Sequence, residues 1–469
     1  PPGVYRRPVS PSRPPRSGNV DFYAHPAAAE DAGFRPCKRC QPDAVPGTTA
    51  WDEQGALVDR ALALIDGGAL DTASVDDLAA RLAVSDRHLR RLFTERLATS
   101  PDAVARTRRA HLARRLLVDT DLRVVDVAFA AGFGSLRQAN DVIRATFGAT
   151  PTELRRRHRR GEVPFPAALG PAPRPRSSTG STTAGLSLRL PARAPFAGDE
   201  LSAWFAARAL PGLEWVTDGV YHRRIAAPEA GGASEGLVTV APATDHVVLT
   251  VDAPPATHLA AIVAAVTRCF DLDANPVAVA EDLEGDPVIG PLIAAHPGRR
   301  VPGAWSPFEM AVRAIIGQQI SVAAARTIVG RLVDALGDGH FPSPAVLAVA
   351  ETEPLGVIGQ RARSIRTLAA RVVAGDVALD GAMAGEDLTA ALVAIPGIGP
   401  WTASTIALRS GEPDAFPAGD LHLRRVLGID RERDVAARAE AWRPWRSYAA
   451  IHLFHQPMPP RPATSPVTR

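Results

Sequence analysis

Lysine is nearly missing from this 469-residue chain: Lys38 is the one example, and every other member of the 53 Lys+Arg is arginine. That absence excludes most amine chemistry, because an imine-forming nucleophile is usually a lysine and none occurs beyond residue 38. Cysteine is almost as scarce. Cys37, Cys40 and Cys269 are too few to staple a secreted scaffold and fit a reducing compartment. No uninterrupted apolar run reaches the length of a membrane span, and Pro1-Pro2-Gly3-Val4-Tyr5-Arg6-Arg7 is not a secretory signal, so the expectation is a cytoplasmic protein without a membrane partner. The missing initiator Met suggests a start inside a longer reading frame.

What is present points to several globular domains. A hydrophobic fraction of 46% excludes a disordered chain, and the length favours two to four domains. Net charge is only +3, but a pI near 9.1 and an almost pure arginine complement suit phosphate contact.

The most informative stretch runs from Leu392 to Arg425. It reads as an apolar helix, a tight turn at Pro396, Gly397, Ile398 and Gly399, a second helix, a Gly/Pro-rich loop, and Asp420 opening a third helix. Glycine accepts a positive φ and keeps no Cβ between backbone and ligand, so such a turn can present free N–H groups to a phosphate at a helix start. Phosphate contact of this kind positions a protein on DNA without reading bases. Asp420 lies downstream at a helix start, where the positive helix end favours a carboxylate's charge. Each element alone is also compatible with an interhelical turn and an ordinary helix cap.

Together with Trp442-Arg443-Pro444-Trp445-Arg446-Ser447-Tyr448, the stretch closely resembles the helix-hairpin-helix DNA glycosylases, in particular the AlkA-type 3-methyladenine DNA glycosylase II family. The resemblance implies a base-excision repair enzyme that flips an alkylated purine (the 3-methyladenine and 7-methylguanine class) out of double-stranded DNA and hydrolyses its N-glycosidic bond. It implies Asp420 as the catalytic carboxylate, Trp401, Thr405, Phe454 and His455 as the base pocket, and Gln319 with Ile320 as the wedge into the duplex. Related bifunctional glycosylase-lyases carry a lysine at the position after Pro400, and many add a four-cysteine iron–sulfur loop. This chain has Trp401 and no such loop, so water is the expected nucleophile and no cofactor is required. Thr405, Phe454, His455 and Gln319 all differ from the enteric type, which makes the pocket less aromatic. Trp442, Trp445 and Tyr448 read as structural residues beside the site.

Between residues 52 and 158 apolar residues recur at helical spacing, and two helix-turn-helix patterns follow one another, one around Val75–Arg96 and one around Val124–Thr146. The Ala-x-x-x-Gly-Phe run at 128–133 and the later Phe147-Gly148-x-x-Pro151 resemble the AraC-type regulator domain. That likeness implies operator contacts from Arg87, His88 and Arg91 in the first unit and from Arg137, Gln138 and Asn140 in the second.

The first 50 residues resemble the N-terminal domain of Ada-type proteins, in which four cysteines hold zinc and one accepts a methyl group. Cys37 and Cys40 remain, but Arg6 and Ser10 stand where the first two ligands would be, so the metal site is incomplete, zinc would need His25 or Asp43 as substitute ligands, and methyl transfer is expected to be lost.

The expected architecture is therefore multidomain: an Ada-type remnant (1–50), an all-α double helix-turn-helix domain (52–158), a flexible linker (159–183), an α+β subdomain (184–290), an all-α helix-hairpin-helix glycosylase domain (291–458) and a disordered tail (459–469). The α+β part shows no chemistry of its own and reads as packing support. The expectation is a monomer acting on alkylated and operator DNA. The alternative is an alkylation-response regulator whose glycosylase domain is secondary or inactive.

Overall fold

Serine and threonine set most helix starts in the first half of the chain. Ser74, Ser85, Ser100, Ser135 and Thr150 each accept a backbone N–H three residues on, satisfying a donor that the helix itself leaves unpaired. The computed structural model describes residues 4–5, 34–36, 53–160, 186–229, 232–252, 259–337, 339–357, 359–383 and 385–458. Cys37, Cys40, the linker and the tail lie outside them.

Two short strands, β1 (Val4–Tyr5) and β2 (Arg35–Pro36), pair in parallel. The helices that follow are α1 (Glu53–Asp66), α2 (Ala69–Thr72), α3 (Val75–Arg81), α4 (Asp86–Leu97), α5 (Pro101–Asp119), α6 (Val124–Ala130), α7 (Leu136–Phe147) and α8 (Pro151–Arg159). The pairs α3–α4 and α6–α7 are the two helix-turn-helix units, and α5 joins them. Asp71 on α2 pairs with Arg108 and Arg109 on α5, and its carboxylate fills the space a side chain at Gly132 would need, so one charged cluster packs α2 and α5 against the turn of the second unit.

Next comes one antiparallel sheet in the order β3-β7-β6-β5-β4, built from β3 (Leu186–Pro191), β4 (Glu214–Thr217), β5 (Val220–Glu229), β6 (Gly232–Pro242) and β7 (His246–Asp252), with α9 (Gly198–Arg208) inserted after β3. β4 and β6 were not legible in the sequence: β4 is four residues long, and β6 carries glycine and proline that depress strand propensity.

The remaining helices are α10 (Leu259–Cys269), α11 (Pro276–Leu283), α12 (Ile289–Ala295), α13 (Pro307–Ile316), α14 (Val322–Leu336), α15 (Pro344–Val349), α16 (Gln360–Ala374), α17 (Gly385–Val393), α18 (Pro400–Arg409), α19 (Leu421–Leu427), α20 (Glu432–Ala439) and α21 (Arg446–Phe454). Cys269 is buried in the core, as its apolar setting indicated.

A tether-like composition separates the helix-turn-helix domain from the following unit, yet the two share packing. Leu112, Leu116, Val127 and Ile143 belong to the same buried cluster as Leu188, Leu190, Leu249 and Val251 on the sheet. Ala382 joins the core of the first helix-turn-helix unit, and Arg81 pairs with Asp380 at 2.6 Å. The linker composition is silent about such contacts because they are made by side chains far away in sequence.

A buried ionic network ties the sheet to α13. Arg223 on β5 contacts Glu214 at 3.0 Å and Glu309 at 2.5 Å, while Arg313 reaches Glu214 at 2.9 Å. Burial alone would raise the Glu214 carboxyl, but Arg313 and Arg223 beside it hold it below the usual range. The end of α13 is thereby fixed against the sheet domain.

Candidate active site

The turn at 395–398 is closed by Ile398 N–H donating to Ile395 O at 3.0 Å, with Gly397 at φ 90 in the position that demands glycine. A side chain there would also strike Ser364. The Pro396 carbonyl accepts from Ser364 Oγ and Gln360 Nε2, both at 2.7 Å. Because carbonyl oxygen and amide hydrogen lie on opposite sides of a trans peptide, this turns the Gly397 N–H away from the protein. Among the described residues no side chain caps α18, so its first N–H groups, like that amide, are left for a partner outside the helix. Pro396, Gly397 and Gly399 are exposed, whereas Ile398 is buried and anchors the turn in the core.

Asp420 is the N-cap of α19. Its Oδ1 accepts from His422 N–H at 2.8 Å and Leu423 N–H at 3.3 Å, and its Oδ2 accepts from the Trp401 indole N–H at 2.8 Å. The carboxylate is half-buried, with no basic side chain in a hydrogen bond to it among the described residues. Its negative charge is thus held by three N–H donors and a helix end rather than neutralised by an arginine. Trp401 is itself half-buried on the first turn of α18, so the hairpin helix and the carboxylate are physically joined.

The other residues expected in the pocket divide. Phe454 packs its ring on His422 at 5.9 Å, and His422 is the residue whose amide caps against Asp420, which places Phe454 one side chain from the carboxylate. His455 donates from Nδ1 to Ile451 O at 2.8 Å, leaving Nε2 as the acceptor nitrogen when the ring is neutral. Burial pushes its pKa down, which favours that neutral form. Thr405 sits one turn beyond Trp401 and spends its hydroxyl on the Trp401 carbonyl at 2.8 Å. Trp442 is fully buried and donates to Asp286, so its role is structural.

The packing that the α+β subdomain supplies reaches one of the residues expected in the pocket. Trp204 on α9 meets the His455 ring at 5.3 Å, and Arg208, one turn on, lies over the Trp204 ring at 3.6 Å from its centroid. Burial lowers the Arg208 pKa to about 10, with Arg313 adding to the shift. The one available sequence signal was the Trp204–Arg208 spacing of four on a helix, which is equally the signature of a surface pair.

At the expected wedge position, Gln319 is exposed with φ 56, a left-handed conformation uncommon for a residue with a side chain. Ile320 turns inward and packs against the core. In the helix-turn-helix units Arg87 and Arg137 are exposed on the leading turns of α4 and α7, and Asn140 is half-buried. Arg91 pairs with Glu95 at 2.9 Å and contacts His88, and Gln138 accepts from Gly134 N–H at 3.2 Å.

Fold and site together define a helix-hairpin-helix base-excision domain with an α+β partner, carried on a double helix-turn-helix DNA-binding module. Residues 312–446 match the HhH-GPD superfamily of base excision DNA repair proteins, residues 187–306 the AlkA N-terminal domain, residues 78–157 a helix-turn-helix domain and residues 2–43 the metal binding domain of Ada. The chain belongs to the family of bifunctional AlkA transcriptional activator/DNA repair enzymes. It is 42% identical over 467 residues to the probable bifunctional transcriptional activator/DNA repair enzyme AlkA of Mycobacterium tuberculosis, an alignment covering 96% of this chain and 90% of that protein. DNA-3-methyladenine glycosylase 2 of Escherichia coli is 32% identical over 56% of this chain and 94% of its own length.

The metal binding domain of Ada implies zinc. Of the positions that would ligate it, Arg6 offers no lone pair and Ser10 no thiolate, so the donor set here does not fit a four-cysteine site.

Proposed function

We propose that the protein is a monofunctional glycosylase that releases alkylated purines from double-stranded DNA, with Asp420 acting on the reacting sugar. The observation that carries this reading is the Asp420 carboxylate, held by Trp401, His422 and Leu423 directly beside the hairpin helix. The hairpin amides grip a phosphate next to the lesion, Gln319 enters the duplex, and the nucleotide rotates into the space bordered by Trp401, Phe454 and His455, at a cost of roughly a few kcal/mol for unstacking. As the C1′–N bond breaks, the bonding pair leaves with the base and positive charge grows on the sugar. The Asp420 carboxylate stabilises that charge, and water attacks C1′ and loses a proton. A purine methylated at N3 or N7 already carries the charge that makes it a leaving group, so little acid catalysis is needed.

Two activities of related proteins are not part of this reading. Trp401 occupies the position of the lyase lysine and cannot form an imine, and Lys38 belongs to a different domain. Phosphotriester methyl transfer lacks its acceptor thiolate. The exposed Arg87 and Arg137 support a second role for the same chain, sequence-specific operator binding, with the protein a cytoplasmic monomer. The test is incubation of the purified protein with methylated duplex DNA: release of free 3-methyladenine is expected, and its absence would leave only the regulatory role.

A further inference from the structure

Gln318 precedes the wedge residue, but its side chain turns away from the DNA face. Its Nε2 donates to the Gly397 carbonyl at 2.9 Å and to Thr402 Oγ1 at 3.0 Å, which uses both amide hydrogens. Gly397 O can only accept, so the amide orientation follows from chemistry. Thr402 is 2% exposed on the first turn of α18, where its hydroxyl has no water to turn to. The Gln318 carbonyl in turn accepts from Arg361 on α16, the helix whose Gln360 and Ser364 hold the Pro396 carbonyl. The Pro396 and Gly397 carbonyls are thus both taken by side chains of other segments, and Gln318 bonds the wedge turn directly to the phosphate turn.

We infer that Gln318 is a positioning residue that locks the wedge turn 317–321 to the hairpin turn 396–399, so that extrusion of the base depends on it while DNA binding does not. The inference rests on the glycosylase reading above. A wedge can drive a base outward only if its own loop is braced against something that holds the adjacent phosphate. The left-handed Gln319 is a strained conformation, and it persists because residues on both sides are fixed: Gln318 by its bonds to Gly397, Thr402 and Arg361, and Ser321 by capping α14. Loss of the Gln318 donors would leave the phosphate grip intact, because the Gly397 N–H orientation is set by Gln360 and Ser364. It would free the wedge turn to recoil when the duplex pushes back.

The test uses the full chain carrying Gln318→Met, which keeps length and volume but has no donor. Single-turnover release is compared on a duplex with the methylated purine paired and on one with it facing an abasic site, where extrusion costs less. The expected result is a loss of about tenfold or more on the paired substrate, a much smaller loss opposite the abasic site, and unchanged affinity for undamaged duplex. Thr402→Val, which removes one of the two acceptors, should reproduce the same pattern more weakly, and it keeps the inference testable if the Met variant folds poorly. Equal slowing on both substrates, or none on either, overturns the inference. A wild-type protein inert on both substrates overturns the glycosylase reading instead.

Discussion

Trp401 Nε1 donates a hydrogen bond to Asp420 Oδ2 at 2.8 Å, across a separation of 19 residues. The contact joins the first turn of the hairpin helix α18 to the cap of α19, so the hairpin and the acidic group are held to each other by a direct bond. The indole is a donor only, and it therefore orients the carboxylate without taking its charge.

Asp420→Asn keeps a good helix cap and the acceptor oxygen, but removes the negative charge. Release of 3-methyladenine under single-turnover conditions should fall by roughly 10²-fold or more, while affinity for a lesion-containing duplex stays essentially unchanged. Wild-type rates in this variant would refute the role of Asp420.

Trp401→Phe retains the aromatic face and deletes the N–H donor. A modest fall in the excision rate, on the order of tenfold, is expected from a misoriented carboxylate. A change confined to substrate affinity would show instead that Trp401 acts only as a pocket wall.

With no lysine beyond residue 38, borohydride reduction during turnover should trap no protein–DNA adduct. Electrophoresis under denaturing conditions reads this directly, and a slow-migrating reduced complex would reveal an amine nucleophile.

Asp271 supplies a pH test of stability. Burial pushes its carboxyl up to about 6, against hydrogen bonds from Val301 N–H and Tyr448 OH and the pull of Arg300; Asp273 adds to the rise. A carboxyl raised in the folded state favours the protonated form, so its stabilisation is complete below the unfolded value of 3.8 and is lost as pH rises through about 6. Asp271→Asn stays neutral, and its thermal midpoint should gain on the wild type as pH rises from about 4 to about 6 and level off above that. A difference that does not vary with pH would show that the Asp271 carboxyl has the same pKa folded and unfolded.

Arg137→Ala should weaken operator binding by about tenfold if it reads a base edge and leave base excision from unrelated duplexes unchanged. Parallel loss of both activities would mean that the helix-turn-helix module holds the substrate for the glycosylase.

Much of this protein is written locally in its sequence. Serine caps start three of the four helix-turn-helix helices, Gly397 fixes the hairpin turn, and the absence of lysine beyond residue 38 fixes which amine nucleophiles are available, because each depends on one residue and its immediate neighbours. The sheet was only half legible, since β4 and β6 are strands by virtue of their partners rather than their composition. The tertiary structure alone decided that Trp204 from the α+β subdomain meets His455, that Gln318 holds the hairpin turn, and that Trp401 reaches Asp420. The last two contacts join segments 79 and 19 residues apart, and the first spans more of the chain than either. No local propensity encodes such pairings; they follow from how the packed helices bring distant side chains to one place.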